Sequence, residues 1–357
     1  MKLCEIGFSP RYRLALLVFI GLIIVLPIKL QAKEFKDITF EAGHESLQGW
    51  LLPKVPHPKG NEITEARVTL GKMLFFDTRL SGDGNMSCGT CHNPLYGWSD
   101  GLPTARGFKS EVLGRASPTV INTAFNSLQM WDGRKKSLEE QAMGPMMSNA
   151  EMNMNIPKLL KFLNETNGYK KAFNKAYPKE TINELTIAKG IASFERTIIS
   201  NNSPFDQWIK GNKKALTKQQ IKGFKLFVNP KKGNCEVCHS GSNFTDNGFH
   251  NIGLAQFGKK DADMGRYIQR PLGLMKGAFK TPTLRDITQT APYFHDGSSL
   301  TLEEVVAHYE KGGVAKGNLS PNMKTAKLSK KEQTAIVAFM KSLNTKQQPF
   351  LLPIIPH

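Results

Sequence analysis

The sequence predicts a mainly α-helical protein built as two similar halves, with long loops packed between the helices. Three observations predict it. Capping boxes open helices at Thr181-x-x-Glu184, Thr217-x-x-Gln220, Thr301-x-x-Glu304 and Ser329-x-x-Glu332, while alternating strand patterns are scarce. Gly71-Lys72-Met73-Leu74-Phe75 recurs as Gly223-Phe224-Lys225-Leu226-Phe227, with glycine, leucine and phenylalanine in the same frame. Each copy precedes the same five-residue pattern, Cys88-Gly89-Thr90-Cys91-His92 and Cys235-Glu236-Val237-Cys238-His239. The length, 357 residues, suits about two domains. A hydrophobic content of 40% with 31 Gly and 20 Pro excludes collagen-like, coiled-coil and wholly disordered chains. Five cysteines are too few to be the scaffold of a chain this long.

Residues 1–32 read as a signal peptide or an N-terminal anchor. Lys2, Arg11 and Arg13 precede an apolar run of 13 residues from Leu14 to Leu26. That is short of the roughly 20 residues a spanning helix needs and right for the apolar region of an export signal. Leu30-Gln31-Ala32 resembles a cleavage site. Either way the rest of the chain is exported, which points to the periplasm. It is also basic: without residues 1–32 it carries 44 positive and 29 negative side chains, a net charge of +15. Such a surface steers an acidic partner. It comes with no nucleic-acid motif.

Residues 33–212 are expected to form the first domain. Ile63, Ala66, Leu70 and Met73/Leu74 fall on one face of a helix leading into the first Cys-His pattern. Ile182, Leu185, Ala188, Ile191 and Ile198 mark one side of a later helix. The lysine-rich run from Lys210 to Lys218 reads as a linker with a cut near 212. Residues 213–345 then form the second domain. The segment 346–357, with prolines among apolar residues, is expected to run extended.

C-x-x-C-H is the pattern of covalent c-type haem attachment. Two thiols at that spacing each form a thioether to one vinyl group, and the adjacent histidine is carried under the ring to bind iron. Zinc-binding pairs normally lie about 15–20 residues apart, whereas these patterns start 147 residues apart. A thioredoxin-like pair would not need the histidine. Two short-loop disulfides would leave its repetition a coincidence. Two covalently bound c-type haems use all six residues, so the expected architecture is two cytochrome-c-like haem domains. Long loops are tolerable around a haem because it presents a large apolar surface for them to cover.

At this point the chain resembles the bacterial di-haem cytochrome c peroxidase family, which includes the MauG-type enzymes. The resemblance spans roughly residues 60–345. It is carried by Leu74-Phe75-Phe76-Asp77, Leu80-Ser81-Gly82-Asp83-Gly84, Ser117-Pro118-Thr119-Val120 and Trp131-Asp132-Gly133-Arg134 in the first half. In the second half it is carried by Phe249-His250-Asn251-Ile252-Gly253, Thr281-Pro282-Thr283-Leu284-Arg285 and Pro292-Tyr293-Phe294-His295-Asp296-Gly297.

The resemblance implies that the N-terminal haem, with His92 as proximal ligand, is the peroxide site, and that the C-terminal haem, with His239, is the electron-transfer haem. Glu151 matches the catalytic acid/base, Gln141 a neighbour that orients peroxide, and Trp131 the tryptophan between the haems. Arg115 and Arg285 match positions beside haem propionates. Asp132 and Arg134 are expected to fix their turn by an ion pair. Phe108 stands where many members place a histidine that blocks the peroxide iron, so that iron is expected to be open. Tyr309 stands where peroxidase members carry a methionine ligand and MauG-type enzymes a tyrosine; His308 and Met275 are the neighbours that compete for this role. The resemblance also implies one calcium, held by backbone oxygens of Thr290 and Pro292, although Ala116 replaces its asparagine ligand. It implies a homodimer as well.

Three functions are in view. The first is an exported peroxidase reducing hydrogen peroxide to water with electrons from a small periplasmic cytochrome or copper protein. The second is a MauG-like enzyme that uses peroxide to oxidise a protein or another substrate. The third is a di-haem electron carrier without catalysis.

Overall fold

The two copies of the internal repeat fold as two copies of one helix crossing. The structure is a computed structural model and describes residues 38–357; the expected signal lies outside the described residues. In the first half, α1 (Glu65–Phe76) starts at Thr64, whose hydroxyl accepts from the Arg67 N–H. After it come α2 (Cys88–Cys91), α3 (Leu138–Met147), α4 (Ile156–Glu165), α5 (Asn167–Ala176), α6 (Glu184–Glu195) and α7 (Pro204–Ile209). The second half contributes α8 (Lys218–Val228), α9 (Leu302–Glu310) and α10 (Lys330–Lys341). A two-residue antiparallel pair, β1 (Phe249–His250) with β2 (Phe279–Lys280), is its only sheet among the described residues.

Gly71 explains why the repeat keeps a glycine. A Cβ there would lie 1.9 Å from the Gly190 carbonyl oxygen of α6. At Gly223 a Cβ would lie 1.9 Å from the Ala335 oxygen of α10. In both halves the helix leading into the Cys-His pattern thus crosses a later helix backbone to backbone. Leu70, Leu74 and Phe75 bury themselves beside the first crossing, and Phe224, Phe227 and Phe339 beside the second.

The capping boxes at Thr217, Thr301 and Ser329 form as expected. That at Thr181 does not. Asn183 caps α6 instead: its side chain accepts from the Thr186 N–H at 3.0 Å, and Thr186 Oγ1 accepts from the Asn183 N–H at 3.0 Å. Asparagine is an equally good cap two residues closer to the apolar stripe. The later start leaves Ile182 outside the helix and Leu185 55% exposed, while Ala188 and Ile191 are buried as expected. Ile63 likewise precedes α1 and faces solvent in part.

Among the described residues there are two cores, and the second also takes in residues that precede the expected cut at 212. Phe205, Trp208 and Ile209 of α7 belong to the second core, with Phe224, Phe244 and Phe339. So do Leu47 and Trp50, close to the N-terminal limit of the described residues. Large rings lose most by staying in water, and the aromatic nest of the second half receives them: Trp50 meets Phe224 edge to face at 5.3 Å, and Phe205 meets it at 4.9 Å. The expected linker is therefore not a free tether: Leu216 is buried in the second core and Trp208 O accepts from the Gly43 N–H. The C-terminal tail, free of helix and strand, crosses the other way. Phe350 packs on Phe76, Trp98 and Phe194, and Pro356 O accepts from Arg79 Nη2 at 2.6 Å. Each half is clasped by a terminal segment from the other side of the chain. Among the described residues no helix is long and apolar enough to cross a membrane.

The crossing makes a direct prediction. Gly223→Ala should lower stability by about 1–3 kcal/mol through overpacking, read from chemical denaturation. Gly49→Ala, where a Cβ would meet nothing within 4 Å, should change it little.

Candidate functional site: two cavities that share a tryptophan

The first Cys-His pattern is short and tightly wound. The His92 N–H donates to Cys88 O at 2.9 Å and the Ser87 N–H to Thr90 Oγ1 at 3.0 Å. This turns both thiols and the imidazole onto the wall of a cavity of about 460 Å³. The second pattern repeats the device: the His239 N–H donates to Cys235 O at 2.8 Å, and Cys235, Cys238 and His239 line a cavity of about 180 Å³. In each imidazole Nδ1 meets a backbone carbonyl, Trp98 O at 3.3 Å for His92 and Phe244 O at 3.0 Å for His239. A carbonyl only accepts, so Nδ1 carries the hydrogen and Nε2 keeps its lone pair for a metal. Burial lowers both imidazoles below their ordinary values and keeps them neutral. No disulfide joins these four cysteines. Burial pushes Cys91 up to about 11 and Cys235 up to about 12. Neutral imidazoles and unpaired thiols on concave walls fit covalently attached haem.

Trp131 lies on the walls of both cavities. Its indole Nε1–H donates to Ala116 O at 2.9 Å, and its own carbonyl accepts from the Lys280 N–H at 2.8 Å. Gly133 has φ +65°, and a Cβ there would lie 2.3 Å from the Phe249 ring, so the turn demands glycine. Asp132 accepts from Arg134 at 3.0 Å, as expected, and also from Arg115 Nη1 at 2.9 Å. Burial alone would raise the Asp132 carboxyl, but the two guanidinium groups hold it below its usual range.

Glu151 and Gln141 lie on the wall of the first cavity, the one that also holds His92. Gln141 sits on α3. Glu151 sits in the turn after α3, where Gly82 N–H donates to Met152 O and Phe108 N–H to Ala150 O. Burial raises the Glu151 carboxyl, against Arg134 and a hydrogen bond from Ser148. The Phe108 side chain is not among the groups on that wall.

Residues 65–214 match the family model described as di-haem cytochrome c peroxidase, and residues 220–344 match cytochrome c. The methylamine utilization protein MauG of Methylophilus methylotrophus is 40% identical over 302 residues, covering 85% of this chain and 89% of that one. The chain belongs to the di-haem cytochrome c peroxidase family. It carries two covalently bound c-type haems and is an oxidoreductase acting on peroxide. The cytochrome c551 peroxidase of Pseudomonas aeruginosa is 36% identical over 327 residues, covering 88% of this chain and 90% of that one. Among solved structures, a MauG-like protein associated with microbial copper homeostasis is similar at a TM-score of 0.77. Its identity is 28%, and the match covers 83% of this chain and 95% of that one.

Within this family's frame, the two expected propionate arginines separate. Arg115 lines the first cavity, but Nε and Nη2 bind Asp263 at 2.6 and 2.9 Å. Arg285 is not on either haem-side wall, and its guanidinium is taken up by protein groups. It is fully buried, Nη1 binds both oxygens of Asp206 at 2.9 Å, and Nε and Nη2 donate to the backbone at Ser242 and Trp50. Its guanidinium ties α7 and the N-terminal arm to the second core.

Tyr309 is on the wall of the second cavity, while His308 Nε2 is held by Ile252 O at 2.8 Å and Met275 is not on that wall. Thr290, Pro292 and Ala116 together line a third cavity of about 100 Å³. The Ala116 methyl offers no oxygen there. Its carbonyl accepts from Trp131 and its N–H donates to His295 O. The side-chain oxygen expected at position 116 is thus missing, and the backbone oxygens of Thr290 and Pro292 are what remains of the named calcium ligands.

Several wall residues escaped sequence reasoning. Asp263 is Arg115's partner. Met323 lines the second cavity beside Tyr309. Lys280 is buried on the same wall, and burial pushes its ammonium down to about 8. Glu195 lines the first cavity with a buried, unpartnered Oε2, and burial pushes it up to about 8. Glu195 had a signal: it continues the buried Ile187–Ile191 stripe at helical spacing, a place for an apolar residue.

Asp206→Ala should cost about 3–5 kcal/mol, because it strands a buried guanidinium, while leaving the haem absorption of the folded protein unchanged. Denaturant unfolding with a parallel spectrum checks both.

Proposed function

We propose that this enzyme is exported to the periplasm and reduces hydrogen peroxide to water at the first cavity, with electrons delivered at the second by a small cytochrome or copper protein. The observation that carries this reading is the placement of Glu151 and Gln141 on the wall that also bears His92. Each turnover takes one hydrogen peroxide, two electrons and two protons to two waters. When bound, the haem supplies the iron that binds peroxide and takes up its oxidising equivalents. The Glu151 carboxylate would take a proton from one oxygen of the peroxide and return it to the other, which leaves as water. The Gln141 amide, with both a donor and an acceptor, orients the peroxide. Trp131, shared by both walls, is the indole through which electrons cross. With the Phe108 side chain off the wall, no imidazole has to leave before peroxide enters. The net +15 charge of the exported chain draws an acidic donor, in a salt-dependent way.

Tyr309 favours a second reading. A phenolate is a hard, anionic donor and stabilises the higher oxidation states of iron. With Tyr309 as the sixth ligand at the second cavity, the enzyme would use peroxide to oxidise a substrate, such as a residue on another protein. Fast steady turnover with a reduced small cytochrome as sole donor supports the first reading. Sluggish turnover with that donor supports the second.

Glu151→Gln should slow peroxide turnover by roughly 10²–10⁴-fold with both haem spectra intact. The working form of Glu151 is ionised and its carboxyl is raised by burial, so activity should fall as pH drops through that raised value. The acid limb should vanish in Glu151→Gln. Undiminished turnover in the variant would remove Glu151 from the mechanism.

A further inference from the structure

Trp131 does not reach the second cavity alone. The imidazole of His295 lies on that cavity's wall, as does the ring of Phe279. The two rings stack face to face, centroids 3.5 Å and planes 16° apart. The Trp131 indole meets the same imidazole edge to face at 6.3 Å. A second tie runs through the backbone: the indole N–H donates to Ala116 O at 2.9 Å, and the Ala116 N–H donates to His295 O at 2.7 Å. Phe279 is anchored in turn by the pairing of β2 with β1 and by the Arg115 guanidinium 5.4 Å over its ring.

Burial pushes the His295 imidazole down to about 4, against Asp296 and Asp263, while Arg115 acts with burial. It is therefore neutral at ordinary pH. Its use lies in what passes through it. Electron tunnelling falls exponentially with the gap, and more slowly through packed rings and hydrogen bonds than across open space.

We propose that His295, stacked on Phe279, is the second-cavity half of the electron path, coupled to Trp131 by ring contact and by the Ala116 hydrogen bonds. The proposal rests on the reading that electrons cross from the second cavity to the first. No bond forms or breaks at His295. One electron passes at a time, two for each peroxide, from the external redox protein toward the peroxide-oxidised site, and the imidazole ends unchanged.

The test uses the holoenzyme with one electron equivalent loaded on the second haem, mixed with peroxide in stopped flow. Loss of the reduced second-haem spectrum reports the crossing, and the first haem's own response to peroxide reports that site's integrity. His295→Leu should slow the crossing about tenfold or more with both reduction potentials unchanged, and His295→Phe, which keeps a ring, should restore most of the rate. Phe279→Leu, which removes only the stacking partner, should slow it in the same sense. Crossing in His295→Leu at the wild-type rate, or equal slowing in His295→Phe and His295→Leu, would overturn the proposal. Absence of any crossing in the wild-type protein would instead overturn the reading it rests on, and the proposal with it.

Discussion

Asp132 accepts hydrogen bonds from Arg134 and from Arg115, and Arg115 continues to Asp263 in the second half of the chain. Arg266 closes the turn by donating to the carbonyls of Asp132 and Gly133 at 2.8 Å. This charged knot surrounds the residue after Trp131, and the position of the indole depends on it. Surface ion pairs are weak, but Asp132 at the centre of the knot is buried and Arg115 largely so, and Arg115 binds Asp263 in bidentate fashion. Loosening the knot would move Trp131 relative to both cavities at once. The site is thus a shared wall more than two separate pockets.

The exchange of terminal segments serves the same end. Trp50 and α7 bury their rings in the second core, while Phe350 covers the aromatic cluster of the first. Neither half can drift without exposing rings that belong to the other chain segment. Buried Arg285, paired with Asp206, is the polar counterpart of this clasp. The resulting rigidity suits electron transfer, which is steep in distance, and it suits the proton transfer proposed for Glu151, which needs hydrogen-bond reach.

Much of the site was legible in the chain because it is written locally. Two thiols, their spacing and an adjacent histidine need only one turn to act together, so Cys88, Cys91 and His92 line the first cavity and Cys235, Cys238 and His239 the second. Glu151, Gln141, Trp131 and Tyr309 were placed by ordered motifs, and each of them lines a cavity. The Arg285–Asp206 pair was not legible because Asp206 lies 79 residues away and no local pattern joins them. The cut near 212 falls where the two family matches meet, but the packing of α7 was not legible: a lysine-rich run looks like a free linker, while the large rings just before it pack where the tertiary structure offers an aromatic nest. At Thr181 two good caps lay close together, and the one nearer the buried stripe prevailed. His295 stood inside a quoted motif, yet nothing in that motif says that its ring would lie flat on Phe279.

The proposed mechanism needs a first cavity open to peroxide in the resting enzyme and coupled to the second through Trp131. The most direct measurement mixes fully oxidised, as-isolated holoenzyme with hydrogen peroxide and follows the haem absorption by stopped flow. The account predicts a rapid spectral change without any prior reduction, because the Phe108 side chain leaves the first cavity's wall unblocked. A spectrum that stays still until one haem has been reduced would contradict it, and would mean that another side chain closes the first site at rest.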